Sequence, residues 1–378
     1  MDVDTLCQPT KAEITWKDIL TQVGRDLFDK EVQSAATYSY LWIADQMGHL
    51  GLGLVVAFAL SWIVALLHGM FAWFGFPQLD PWLDHPWPLI VGCVLVAYWE
   101  FNAFRAYNAL ATGLFPPDTA MLAQNAVVAA DYMVLGVAAG FAWMHGTLWQ
   151  VGVTLAAVIV AVALAPPWLR QKIVWQKAGL PFLFRLCDFL PTIDKSAAEK
   201  LQSFIDTRAR ADTTGPVVVI YGPLGAGKTS LVCGIGTECA FDGSKVRYVT
   251  FDKLAQMAFA DRDDPGPDNI VYWPWTESEV LLIDDVDTDR GPGDEAYLSF
   301  DEFRGILERQ FKQRRFCLGR RMSVWVLGAR PAEEAKLWAD EIVRVCTQTA
   351  GAPELLLVEC KLASIPKRSA RALVSFLR

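Results

Sequence analysis

Two residue clusters in the C-terminal half have the types and spacing of phosphate chemistry. Residues 222–229 read Gly-Pro-Leu-Gly-Ala-Gly-Lys-Thr, a GxxxxGK[ST] pattern placed directly after the apolar run Val217–Tyr221. Glycines at this spacing let the backbone curl until its N–H groups face anionic oxygens, and the helix that follows adds the positive end of its dipole. Lys228 is then placed to reach the terminal phosphates of a nucleotide, and the Thr229 hydroxyl to ligate Mg2+. The candidate nucleotide-binding residues are Gly222, Pro223, Leu224, Gly225, Ala226, Gly227, Lys228, Thr229 and Ser230. Farther along, the apolar run Val280–Ile283 ends in two carboxylates, Asp284 and Asp285. Asp284 is the candidate to hold the metal, directly or through water. Asp285 is the candidate to orient or deprotonate an attacking water. ATP and Mg2+ are the cofactors this pairing calls for.

These residues need a scaffold that brings two strand ends together. The expected elements are a strand at Val217–Tyr221, a helix at Thr229–Phe241, a strand at Val246–Phe251 and a helix at Asp252–Phe259. The Val280 strand follows, then an amphipathic helix over Ser299–Phe316 and a strand at Ser323–Gly328. A helix over Pro331–Val345 and a strand at Leu355–Cys360 complete the set. Five strands alternating with helices predict an α/β domain with a parallel sheet, and a nucleotide site at the carboxyl ends of the strands.

The two motifs match Walker A and Walker B, and the chain resembles the additional-strand branch of P-loop NTPases. KVRYVTFDKLAQM followed by SEVLLIDDVDT resembles the helicase-loader and transposition-helper ATPases of the AAA+ group, and the IDDV ending resembles STAND-class signalling NTPases. The resemblance covers about residues 214–362. It implies a γ-phosphate sensor after the next strand, for which Arg330 is the candidate. It also implies an arginine finger acting on a neighbouring copy, for which Arg344 is the candidate. Arg314, Arg315, Arg320 and Arg321 form a basic cluster that is an alternative finger, a solvated helix end or a contact with anionic lipid. Two departures stand out. Too little chain follows the last strand for the helical lid of AAA+ proteins, with Arg368 and Arg371 only weak mimics of its sensor. The catalytic carboxylate is Asp285 rather than the commoner glutamate, which suggests slow or switch-like turnover.

The N-terminal half has a different composition. The whole chain is 53% hydrophobic and 20% charged, which excludes a disordered chain. Between residues 49 and 169 the charged residues are Asp80, Asp84, Glu100, Arg105, Asp118 and Asp131 alone. Such a stretch reads as membrane. Four spans are expected: Leu50–Phe76, Pro88 to Trp99 or Tyr107, Asn125–Met144, and Thr147–Leu169 with a stop at Arg170. The second is the weakest. Basic residues flank the inner ends, so both termini are expected in the cytoplasm, in the inner membrane of a bacterium. Trp73, Trp82, Trp87, Trp143 and Trp149 are expected in an outer aromatic belt, Trp168 and Trp175 in an inner one. Glu100, Arg105 and Asp131 are candidates for a shared polar contact within the membrane. Trp16–Val32 is patterned as an amphipathic helix. Ala178–Pro191 is expected to run along the inner surface.

The expected organisation is therefore a cytoplasmic segment over 1–48, a transmembrane bundle of about four spans over 49–170, an interfacial elbow over 171–194, and an α/β P-loop NTPase domain without a helical lid over 195–378. The net charge of −8 does not indicate a nucleic-acid partner, although a local basic patch leaves one open. The eight cysteines form no CxxC pair and are expected to be reduced, buried thiols. The expected function is an integral-membrane ATPase that couples binding or hydrolysis to the assembly or conformation of its membrane part. The alternative is a nucleotide-gated signalling or pore-forming effector. Expected partners are the lipid bilayer, further copies of the chain joined through the NTPase domain, and a protein client.

Overall fold

The computed structural model describes residues 12–21, 38–75, 86–110, 114–115, 119–190, 192–207, 214–260, 272–287, 298–312, 314–347 and 351–362. The chain divides into two compact units. One is made chiefly of Trp16–Ala111 and Pro117–Arg170, the other chiefly of Gln171–Arg378.

The first unit is helical. α1 (Tyr38–Trp73), α2 (Trp87–Leu110), α3 (Thr119–His145) and α4 (Leu148–Lys177, whose last seven residues belong to the second unit) are four helices long and apolar enough to cross a membrane. α1, α2 and α3 pack around Ala57, Leu89, Val96, Met133, Val137 and Phe141. α1 and α3 meet backbone to backbone: a Cβ on Gly53 would lie 2.1 Å from the Met133 carbonyl oxygen, and one on Gly140 would lie 2.6 Å from the Ala57 Cβ. Small residues permit this approach, which gains dispersion contacts between the two helices. Outward-facing Trp62, Leu66, Leu155, Ile159 and Val162 are exposed, as an apolar solvent would allow. The fourth helix does not stop at Arg170 but runs on to Lys177, through Pro166 and Pro167.

The charges within the apolar helices are arranged differently from expectation. Glu100 faces His49 of α1, 3.7 Å away, and His49 lies 3.7 Å from Asp45. Arg105 packs over the Phe101 ring. Asp131 Oδ2 is buried without a hydrogen-bond partner. The spacing of sequence charges could not identify His49, because it comes from another helix. Trp73, Trp87, Trp143 and Trp149 are exposed near helix ends, whereas Trp168 and Trp175 are buried and are no belt. Helix is described over 16–21 of the Trp16–Val32 segment; the remainder, and Trp82, Asp80, Asp84, Asp118, Arg368 and Arg371, lie outside the described residues.

The second unit holds α5 (Lys195–Thr207), β1 (Val217–Tyr221), α6 (Lys228–Phe241), β2 (Val246–Thr250), α7 (Phe251–Ala260), β3 (Val280–Asp284), α8 (Phe300–Gln310), α9 (Arg315–Gly319), β4 (Met322–Val326), α10 (Ala332–Cys346) and β5 (Leu355–Glu359). The strands form one parallel sheet in the order β2-β3-β4-β1-β5. β1, β3 and β4 are buried along their whole length, which matches the continuous Val, Leu and Ile runs of β1 and β3: both faces are covered by helices. β4 lies between β1 and β3, so the strand separating the two motif strands in the sheet is not β2, which separates them in sequence. The core on one face is built on Phe251, Trp275, Phe303, Phe311, Trp325 and Trp338.

The helix expected over Ser299–Phe316 is two pieces. It starts with a capping box, Ser299 and Glu302 exchanging side-chain and backbone hydrogen bonds, and stops at Gln310. Phe303, Leu307 and Phe311 recur every four residues on one buried face. Cys317, six positions after Phe311, would fall well off that face on a straight helix. The turn after Phe311 restores it, and α9 buries Cys317 and Leu318. Cys93, Cys187, Cys233, Cys239, Cys346 and Cys360 are free thiols.

The 171–190 stretch is packed into this unit. Trp175 Nε1 donates to Thr237 Oγ1 at 3.2 Å, and the Arg185 guanidinium grips Glu238 through Nε at 2.7 Å and Nη2 at 3.0 Å. Leu186 and Leu180 lie over Gly234 and Gly236 of α6, where a Cβ would come within 2.8 Å and 2.7 Å of their methyl carbons.

Candidate functional site

The loop 222–227 joins β1 to α6 and turns on three glycines with positive φ: Gly222 (146°), Gly225 (79°) and Gly227 (83°). At Gly222 a second constraint acts, since a Cβ there would lie 2.1 Å from the Cys360 carbonyl oxygen at the end of β5. Gly227 caps α6 in the left-handed region with no side-chain cap, so the first-turn N–H groups are left to face the loop's concavity. Lys228 Nζ donates to the carbonyls of Gly222 at 2.6 Å and Pro223 at 3.1 Å, which curls the loop around the ammonium.

The β-strand order sets Asp284 and Asp285 across from this loop. A cleft of about 390 Å³ is lined by Leu224–Ser230, by Asp284, Asp285 and Asp287, and by Val326–Gly328 at the end of β4. Lys228, Thr229, Asp284 and Asp285 thus share one cleft. Gly222 and Pro223 shape the loop from behind it. Arg330 and Arg344 are not among the described residues that line it.

Asp284 is 2% exposed. Its Oδ1 accepts from the Asp285 N–H at 2.9 Å, and its Oδ2 accepts from the Tyr248 hydroxyl at 2.8 Å. Burial, and then the Asp284 charge and hydrogen bond, push the Tyr248 phenol far up, so it stays a donor. The Cys233 thiol nearby is pushed up to about 12, by burial first and Asp284 second. Asp285 has φ 52°, a left-handed conformation that Asp tolerates better than most residues. Although Asp285 is exposed, displacement of water by surrounding protein, then the Asp284 charge, holds its carboxyl above the ordinary aspartate range, partly offset by Lys228. A carboxylate held in this way is a better proton acceptor than a free one.

Arg330 is bound to Asp287, itself part of the cleft's lining. Its guanidinium donates to Asp287 through Nε at 2.9 Å and Nη2 at 2.6 Å, pairs with Glu334, and lies 3.9 Å above the Trp338 ring. Asp287 also accepts from the Gly328 N–H at 2.6 Å. This network ties the chain after β3 to the end of β4. Arg344 pairs with Glu341 and with Glu308, at 2.8 Å, and its side chain is 45% exposed. Within the basic cluster, Arg321 is fully buried. It donates to the carbonyls of Cys317, Trp275 and Thr276 and to Ser278 Oγ, and is therefore a structural strut rather than a finger. Tyr248 and Asp287 were missed from sequence. The signal for Tyr248 was a tyrosine in the strand beside the Asp-Asp strand, and that for Asp287 a third acid in DDVD.

The donors present fit a metal–nucleotide pair. A hydroxyl at Thr229 and a carboxylate at Asp284 are the hard oxygen ligands that Mg2+ prefers, and three loop positions carry no side chain to fill the anion's space. No protein-family model matches the sequence, and no curated protein does. Among solved structures, one of a DNA replication initiation factor is similar at 19% identity and TM-score 0.33 over 52% of this chain and 55% of that one. The chain thus spans about half of that protein. A DnaC helicase loader is similar at 16% identity and TM-score 0.28, over 43% of this chain and 88% of that one. DnaI is similar at 18% identity and TM-score 0.25, over 46% and 87%.

Proposed function

We propose that this chain is an integral-membrane ATPase that binds Mg-ATP and couples binding or hydrolysis to the conformation or assembly of its membrane part. The observation that carries the reading is the shared cleft: a glycine-turned loop with Lys228 and Thr229 on one side, Asp284 and Asp285 on the other. Backbone N–H groups of the loop and Lys228 would hold the phosphates. Thr229 and Asp284 would hold Mg2+, whose charge, when bound, supplies neutralisation of the phosphate oxygens. Asp285 orients the attacking water and accepts its proton. Water activation by a shorter aspartate arm favours slow turnover.

Coupling follows from α6. Its first turn borders the cleft, and its later turns carry Gly234, Gly236, Thr237 and Glu238, which hold residues 171–190. A shift of α6 with nucleotide would move the last turns of α4. Self-association through the NTPase domain, with Arg344 reaching a neighbouring site, belongs to the same proposal, as do a protein client, cytoplasmic termini and a bacterial inner membrane.

The test is nucleotide binding and phosphate release by the full-length chain in detergent. Lys228→Ala is expected to abolish binding, and Asp285→Asn to bind but not turn over. Hydrolysis untouched by both substitutions sinks the reading. Nucleotide-dependent ion flux in liposomes, without steady turnover, would replace it with the gated-effector alternative.

A further inference from the structure

Asp284 is restrained from two sides at once. The Asp285 N–H holds Oδ1 from its own turn, and the Tyr248 hydroxyl holds Oδ2 from the neighbouring strand. The register shows what that second contact requires. β2 pairs Thr250 with Asp284 and Tyr248 with Leu282, so Tyr248 reaches diagonally along the strand by two residues. With strands about 4.8 Å apart and a rise of about 3.3 Å per residue, such diagonal neighbours lie about 8 Å apart at the backbone, within range only of long or aromatic side chains. A phenol spans that gap and ends in a donor; the shorter Thr250, directly beside Asp284, does not make this contact. Rotation of the Asp284 carboxylate about its last bond would break one hydrogen bond or the other. The plane of the carboxylate that lines the cleft is therefore fixed.

We propose that Tyr248 is a positioning residue for the divalent cation: its hydroxyl sets the Asp284 carboxylate in the orientation that receives the metal of a bound Mg-nucleotide. This rests on the Mg-ATP reading above and adds to it a residue from β2, a strand outside both motifs. A hydrogen-bond partner of this kind acts on the metal through the carboxylate and touches neither phosphate nor base. Outer partners of metal-holding groups are worth about 10–100-fold in metal affinity.

The experiment is a Mg2+ titration of binding of a fluorescent ATP analogue to the full-length chain in detergent, with a parallel measurement in EDTA. Tyr248→Phe keeps the ring and its packing and removes only the donor. It is expected to raise the Mg2+ concentration for half-maximal enhancement of binding about tenfold, and to leave the affinity in EDTA within about twofold, the sign of an intact site. Asp284→Asn is expected to raise the Mg2+ requirement as well. Adding Tyr248→Phe to Asp284→Asn is expected to change it no further, because the two residues act as one unit. An unchanged Mg2+ requirement in Tyr248→Phe overturns the inference, and so do effects that simply add in the double variant. A wild-type chain that binds no nucleotide overturns the Mg-ATP reading itself; one that binds Mg-ATP while Tyr248→Phe matches it overturns this inference alone.

Discussion

Replacing Asp287 with alanine should loosen the chain after β3 and the end of β4 together. The Asp287 side chain is 4% exposed and accepts hydrogen bonds from Gly328 and from two nitrogens of Arg330, whose own side chain is 10% exposed. Truncation leaves a buried backbone N–H without its acceptor, at about 1–3 kcal/mol. It also breaks a buried ion pair, where loss of one partner costs about 3–5 kcal/mol. Arg330 is not stranded, because Glu334 and the face of Trp338 remain. The two costs describe overlapping contacts, so the expected total sits near the lower bound, about 3 kcal/mol. In a unit of roughly 200 residues that lowers Tm by about 6–12 °C. The assay is thermal unfolding of the full-length chain in detergent, followed by tryptophan emission, for Asp287→Ala, Arg330→Ala and the double variant. Paired residues should couple by about 1–3 kcal/mol, leaving the double variant close to the worse single one. Asp287→Asn retains an acceptor for Gly328 and should lose about half as much. Additive Tm losses, or an Asp287→Ala protein as stable as wild type, would refute the pairing.

Other outcomes follow from the same geometry. Asp285 has a folded-state pKa above its unfolded one, so its ionisation works against the fold as pH rises through the folded value. Asp285→Asn, neutral at every pH, should therefore raise Tm at neutral pH while stopping turnover. The gain should shrink as pH falls through the folded pKa and vanish only below the unfolded, ordinary aspartate value, as read by Tm measured across pH. For the same reason the acid limb of the wild-type rate profile should lie above the pH expected of a free aspartate. Gly222→Ala should abolish nucleotide binding in an equilibrium assay, since its Cβ has no room beside the Cys360 carbonyl. Gly236→Ala should cost about 1–3 kcal/mol by overpacking against Leu180 and Leu282, and should weaken any nucleotide-dependent change in protease sensitivity of residues 171–190.

What could be read from sequence was what short stretches decide by themselves. The glycine loop needed only its eight residues, and the Val280 strand announced its burial by an unbroken apolar run. The four apolar helices were legible from the scarcity of charge alone. What escaped depends on register and strand order. Tyr248 meets Asp284 only because β2 pairs with β3 in one register, and Asp287 meets Arg330 and Gly328 only because β4 lies beside β3. His49 meets Glu100 only across two helices. The continuation of α4 to Lys177 was hidden because the charge at Arg170 ends an apolar run without ending the hydrogen-bonded backbone. The break after Gln310 was hidden by a charged helical pattern that carried on past the buried Phe311.

The left-handed turn at Asp285 limits how this position can change over generations. Its codons are one base away from those of asparagine, glycine and glutamate, among others. Asparagine and glycine suit the turn and discard the carboxylate. Glutamate keeps the carboxylate and suits the turn poorly, since only Gly, Asn and Asp visit this conformation routinely. No one of these steps preserves both charge and backbone. A change to the longer base would need a second substitution that rebuilds the turn, so the aspartate at 285 stands as an inherited commitment of the backbone as much as a choice of chemistry.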